Sequence, residues 1–311
     1  MLKKRLIIIA SIIAFFVIFH FVTGSKFLTL MNIRTILSHA VVPTIITLGM
    51  CFLFSSGVID LSIGAIVILA ANAGGLASTL LGYPGLIIGS ILGATLLVLF
   101  NLKICMTLKI PSWLLGLGMA MIYETIAMLY SSAQVAKGKQ VIDLGYVCRD
   151  LGTFPFNVMI MAVAIAVAYF IFYRTTAGLN IRAVGSSEPI SKIMGIDVNK
   201  ALIIGGIIGG IFIGLGAAVK ESYIGRVMPT SGLTSIGEIY MPLAALLLAQ
   251  SLDKIFPRII GIFISSLFIS SLSNILTISG VPSGTWQEVM LAVCIISFGV
   301  LSQRKNMGVV K

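Results

Sequence analysis

Two acidic residues stand where an apolar chain has least reason to carry charge. Asp60 lies in SSGVIDLSIG (Ser55 to Gly64), with its nearest charged neighbours as far off as Arg34 and Lys103. Glu238 lies in SIGEIYMPLAA (Ser235 to Ala245), which echoes SIGAIVILAA (Ser62 to Ala71). Both share Ser-Ile-Gly-x-Ile, with a Ser-Gly pair just upstream. A carboxylate at the centre of a membrane helix costs about 2.5–3.5 kcal/mol on insertion scales, so Asp60 needs a reason. Gly57 and Gly64 let backbone approach closely, and Ser55, Ser56 and Ser62 can hydrogen-bond. Two readings stay open: a cap on a helix start at the membrane edge, or a broken helix lining a polar path. Paired, glycine-interrupted segments in two halves of a chain are the expected mark of a transporter with internal repeats.

The other reactive residue types form no constellation. Glu124 and Glu288 lie near the ends of apolar runs, where an interfacial or helix-facing role suffices. His20 and His39 are isolated and read as packing residues. Cys51, Cys105, Cys148 and Cys294 have no CxxC or paired spacing, so they read as small apolar residues rather than as a metal site or disulfide framework. Gly138-Lys139 is followed by Gln140 without the upstream glycine of a Walker A loop, and neither HExxH nor GxSxG occurs. The sequence therefore predicts no catalytic residue, no metal and no cofactor.

The elements that must position Asp60 and Glu238 follow from composition. Of 311 residues, 58% are hydrophobic and 10% charged, and the mean hydropathy is +1.11. That is too little charge to cover a soluble surface of this size. Runs of about twenty uncharged residues, each long enough to cross a bilayer, recur along the chain. The expected fold is all-α and polytopic, a single transmembrane domain over 1–311. Ten spans are expected near 6–24, 39–57, 61–80, 85–102, 111–131, 153–173, 201–219, 235–252, 259–278 and 288–303. Gly82-Tyr83-Pro84-Gly85 marks a tight turn between the third and fourth. Trp113 and Trp286 suit the interfacial belt.

Net charge is +11, but the basic residues sit singly between apolar runs, which argues for membrane-flanking charge and against nucleic acid. With ten spans and the N-terminus inside, two-thirds of the 21 Lys and Arg residues fall in inner segments. Both termini are therefore expected to be cytoplasmic. Lys3, Lys4 and Arg5 hold an uncleaved first span, since its apolar stretch is long for a signal peptide and no A-x-A-like site follows.

The longest inner segment, about 174–200, reads RTTAGLNIRAVGSSEPISKIMGIDVNK. Ser186 or Ser187 can cap a short helix whose first turn holds Glu188 and Pro189. Ile190, Ile193 and Met194 fall on one face, and Gly195 ends the helix. Such a helix is either an interfacial anchor or a docking element for a soluble partner.

Taken together, KFLTLMNIRTIL, ITLGMCFLFSSGVIDLSIGAIVILAA and TAGLNIRAVGSSEPISKIMGIDVNKALII resemble the permease subunits of bacterial ABC importers for ribose and related monosaccharides. The resemblance runs from about Lys26 to the C-terminus. It implies a multi-pass inner-membrane permease that pairs with a second permease copy or a homologue. It also implies cytoplasmic ATPase subunits and an extracytoplasmic solute-binding protein as partners. Ser56, Gly57, Asp60, Ser62, Gly64 and Glu238 then belong to the translocation region. Gly185, Ser186, Ser187, Glu188, Ile190, Ile193, Met194 and Gly195 then belong to the element that couples to the ATPase. The chain departs from the family where it reads LAQSLDKIFPR (Leu248 to Arg258) in place of a glycine-rich run, and where Tyr240 replaces a usual Asp. Those departures suggest a divergent subunit paired with a more typical permease. Nucleosides and autoinducer-2 are the alternative solutes, and an ion-coupled secondary transporter is the alternative of another class.

Overall fold

A computed structural model describes residues 17, 19–21, 23, 25–136, 146–225, 227, 233–253, 255–281 and 284–304. Among them the chain forms helices and short 3-10 turns, with seven helices long and apolar enough to cross a membrane. The expected span at 6–24 lies almost wholly outside the described residues.

Helix α1 (Leu30–Ser55) starts where the Thr29 hydroxyl accepts from the Asn32 N–H, and its second half, from Ala40 to Leu53, is almost entirely buried. It begins well before the expected 39, because that cap and the fold around Phe27 hold the extra turns. Helix α2 (Ile63–Leu108) spans both the third and fourth expected spans. At Gly82 the backbone takes φ 61°, ψ −137°, a conformation that a side chain would strain, and the chain reverses there. The two arms then pack antiparallel: Gly85 lies against Ala77, Gly74 against Ser90, and Gly93 against Ala70. The turn signal in the sequence thus marks a helical hairpin within one continuous apolar stretch.

Helices α3 (Ser112–Ala136) and α4 (Phe156–Arg174) follow, with a 3-10 turn at Tyr146–Gly152 between them. The segment after α4 carries two short helices, α5 (Thr176–Ser186) and α6 (Glu188–Ile193), before α7 (Val198–Ile224). A 3-10 turn at Thr234–Ile236 leads into α8 (Gly237–Leu252), and α9 (Arg258–Ile278) and α10 (Thr285–Arg304) complete the described chain.

Lipid offers no hydrophobic drive for helix association, so close packing needs small residues. Helix α7 supplies them. Gly209 lies against Gly49 and Leu53 of α1, while Gly210 and Gly214 meet Thr95 and Ile91 of α2. Beside this seam, Phe52 stacks on Phe212 at 5.8 Å and meets Phe172 edge-on at 5.6 Å. Large apolar side chains such as Leu92, Leu96, Val163 and Phe170 are exposed on the outer faces of α2 and α4, as a lipid-facing surface requires. Trp113 and Trp286 are exposed near helix starts.

One stretch read as an outer loop is helical. Helix α7 runs five residues beyond the expected 219, so Lys220, Glu221 and Ser222 are buried on its last turns. Lys220 is held by Glu238, and Ser222 by Cys148 and Gly152, partners that the local sequence does not contain, while Glu221 accepts from the Val227 N–H just past the helix end.

Candidate translocation and coupling sites

The turn from Ser56 to Ser62 joins α1 to α2, and its acid is buried. Asp60 Oδ1 accepts from the Ser62 N–H at 2.8 Å and the Ser62 hydroxyl at 2.7 Å. Asp60 Oδ2 accepts from Asn101 Nδ2 at 2.9 Å, and Asn101 Oδ1 in turn accepts from the Tyr123 hydroxyl at 2.7 Å. The carboxylate is thereby satisfied by Ser62 at the start of α2 and by Asn101 of its second arm, with Tyr123 of α3 behind them. Only ≈ 10 Å³ of space lies beside it, between Leu53, Val98 and Gly116, which is room for about one water. A solute does not reach Asp60 in this conformation. The acid shapes the start of α2 and closes the space around it.

The second Ser-Ile-Gly segment is built the same way with a carboxylate from elsewhere. Glu124, buried on α3, accepts from the Leu233 N–H at 3.0 Å, the Ser235 N–H at 3.1 Å and the Ser235 hydroxyl. Each serine of the echo thus gives both its N–H and its O–H to one carboxylate. The two segments also touch: Gly64 is pressed against the Ser235 carbonyl, where no Cβ would fit. Tyr123 and Glu124, adjacent on α3, serve one segment each.

Glu238 takes a different partner from the other candidate path residues. It pairs with Lys220 of α7, whose side chain is nearly buried, while its own is 40% exposed. Ser56, Gly57, Asp60, Ser62 and Gly64 share one turn and helix start, and Ser56 donates to the Leu53 carbonyl at 2.7 Å.

In the 174–200 segment, the expected short helix is present as α6, with Pro189 in its first turn and Glu188 paired to Lys192 at 2.7 Å. Ser187 occupies the cap position, but its hydroxyl does not cap. Instead its carbonyl accepts from the Ser191 N–H and hydroxyl. Ser186 belongs to α5, donating to the Arg182 carbonyl. Gly195 takes φ 78° and donates to the Lys192 carbonyl, so it does end the helix. Ile190, Ile193 and Met194 are 59%, 86% and 71% exposed, an apolar face left uncovered by the described residues.

The two candidate regions meet. A Cβ on Gly185 would run into the Ser55 carbonyl, and the Gly57 backbone, at φ 88°, lies beside it. The end of α5 is therefore seated directly on the turn that carries Asp60.

The family described as branched-chain amino acid transport system / permease component matches residues 32–298. The chain belongs to this family. It is thus a transport permease component, a multi-pass protein of the membrane. Similar proteins include the ribose import permease protein of Escherichia coli (strain K12), 26% identical across 95% of this chain and 94% of that one. The ribose import permease protein of Bacillus subtilis (strain 168) is 27% identical across 92% and 88%. The D-allose transport system permease protein of Escherichia coli (strain K12) is 26% identical across 93% and 88%. No solved structure matches the chain.

In this permease, Asn101 and Tyr123 of the site were not expected from the sequence, and Glu124, expected only to lie at an interface or face other helices, holds the Ser235 turn. Asn101 and Glu124 each interrupt a long apolar helix, and that interruption was the available signal. Their partners lie 22 to 111 residues away, a distance that spacing does not bridge.

Proposed function

We propose that the chain is the membrane-spanning subunit of an ABC importer that passes a monosaccharide such as ribose. The reading rests above all on near full-length similarity to permeases named for ribose and allose. On this reading it forms a single transmembrane domain with no catalytic residue of its own. ATP is hydrolysed by cytoplasmic subunits, and an extracytoplasmic protein delivers the sugar. Nucleosides and autoinducer-2 remain the rival solutes. An ion-coupled carrier is less favoured because Asp60 is fully hydrogen-bonded and closed off.

The residues from Gly185 to Gly195 transmit motion. The ATPase seats on Ile190, Ile193 and Met194, and Gly185 passes displacement to the Gly57 turn. Asp60, Ser62 and Gly64 fix the start of α2 and so act on the path through its shape. Glu238 and Lys220 tie α8 to α7 at the far end. The departures at Tyr240 and Leu248–Arg258 favour pairing with a homologous permease.

Gly195→Arg tests the docking role. No atom of the described residues lies within 4 Å of a Cβ there, so the cost among them is backbone strain, about 1 kcal/mol. Across a closely fitted interface an unpaired charge costs several times that. The variant should insert normally, yet lose ATPase co-purification and ribose uptake in reconstituted vesicles. Retention of both would assign α6 to the membrane surface. Wild-type uptake blocked by nucleosides but not by ribose would replace the sugar.

A further inference from the structure

At the end of α4 that bears α5 and α6, a cavity of ≈ 440 Å³ opens between Phe172, Tyr173, Arg182, Asp253 and Arg258. The last turn of the membrane-spanning α4 forms one wall, which places the cavity at the membrane–water boundary. Two arginines and one acid line it, and they are not equivalent. Arg258 is committed: its Nε donates to both Asp253 oxygens, at 3.3 and 3.0 Å, its Nη2 reaches the same carboxylate, and its Nη1 donates to Ser55. That pair is neutral as a unit.

Arg182 is not paired. Its guanidinium lies over the rings of Phe172 at 5.1 Å and Tyr173 at 5.5 Å, and its Nε donates to the Gly178 carbonyl. Its Nη groups have no hydrogen-bond acceptor among the described residues. The Tyr173 hydroxyl accepts from the Arg258 N–H at 2.7 Å, and its own proton likewise has no acceptor among them. Among the described residues the cavity thus offers one uncompensated positive charge, a planar fork of N–H donors held by two rings, and one hydroxyl donor. A guanidinium fork suits phosphate oxygens, and basic pockets between helices on the cytoplasmic side of a membrane bind lipid headgroups.

We propose that this cavity binds the phosphodiester of a phospholipid headgroup from the adjoining leaflet. A phosphodiester carries a single negative charge, which matches the one unpaired cation among the described lining residues. A phosphate monoester would bring a second charge toward the Asp253 carboxylate. Arg182 and Tyr173 are the binding residues, and the Asp253–Arg258 pair is the wall that sets the net charge.

The experiment uses the full-length permease in detergent, with phosphatidylglycerol, diacylglycerol or inorganic phosphate added, read by native mass spectrometry and thermal melting. Phosphatidylglycerol should be retained and should raise the melting temperature, while diacylglycerol should do neither. Arg182→Gln should weaken phosphatidylglycerol binding about tenfold, the worth of a charge-assisted hydrogen bond. Should that variant fail to fold, Tyr173→Phe should weaken binding about threefold to tenfold. Equal retention by wild type and folded variants would overturn the proposal, as would equal binding of diacylglycerol. So would displacement of the lipid by millimolar inorganic phosphate, which would make this a free-anion site. Loss of ATPase binding in Arg182→Gln with lipid retention unchanged would reassign the cavity to the ATPase contact.

Discussion

The starts of α2 and α8 solve one problem with two kinds of carboxylate. At the first, Asp60 stands two residues before Ser62 and binds its N–H and hydroxyl locally. At the second, Ser235 gives the same two groups to Glu124, 111 residues earlier in the chain and on another helix. The local acid stabilises its own helix start and can form with the turn. The remote acid does this only once α3 is docked, so it also ties α8 to α3. With Gly64 pressed on the Ser235 carbonyl, the two starts and α3 form one unit. A local cap fixes a turn, whereas a remote one fixes a tertiary arrangement.

Breaking the contact itself should have the largest effect. Gly64→Val places branched carbons where the Ser235 carbonyl and Ile239 already lie, and neither backbone can withdraw without moving a helix. Overpacking of this kind costs about 3 kcal/mol or more. The expected outcome is loss of monodisperse protein on size-exclusion chromatography. A folded, transporting Gly64→Val permease would show that the two starts are free to separate.

Removing the remote acid should come next. Glu124→Ala strands two backbone N–H groups and a hydroxyl, a loss of about 3 kcal/mol spread over three donors. Melting temperature should fall, and the backbone N–H groups of Leu233 and Ser235 should exchange with solvent faster than in the wild type. Unchanged exchange would mean that packing alone holds the start of α8 in place.

Asp60→Asn should be mildest for the fold. The amide still offers an oxygen to Ser62, and its new donor faces Asn101, whose amide can turn to accept. The cost is about 1 kcal/mol. Membrane insertion and ATPase binding should persist while solute uptake falls, because the α2 start is loosened next to Gly57 and Gly185. Uptake at wild-type rate would confine Asp60 to capping.

Much of this permease was legible in its sequence, for identifiable reasons. Hydrophobic runs long enough for a bilayer, the Gly82–Gly85 reversal and the Gly195 helix stop are local features, fixed by backbone conformation and transfer free energy within a few residues. The SSGVIDLSIG stretch announced a charged turn for the same reason, and the Ser-Ile-Gly echo gave its counterpart at 235. Glu124 gave less: an acid near the end of an apolar run has many uses, and its value depends on donors far along the chain. The same holds for Asn101 and Tyr123, and for Lys220, which read as loop charge and became a buried helix residue once Glu238 faced it.

What the sequence by itself determined is that the chain is an all-α, multi-pass membrane protein, where it reverses at Gly82, and which residues are too polar to be accidental. Only the tertiary structure decided that Asp60 is enclosed, that Glu124 is its counterpart, and that Gly185 sits on the Gly57 turn. The physical reason is range. Hydropathy and backbone preference act within a turn or a span. The partner of a buried polar group is whichever donor packing brings to it, and in lipid that packing is set by small-residue seams between distant helices.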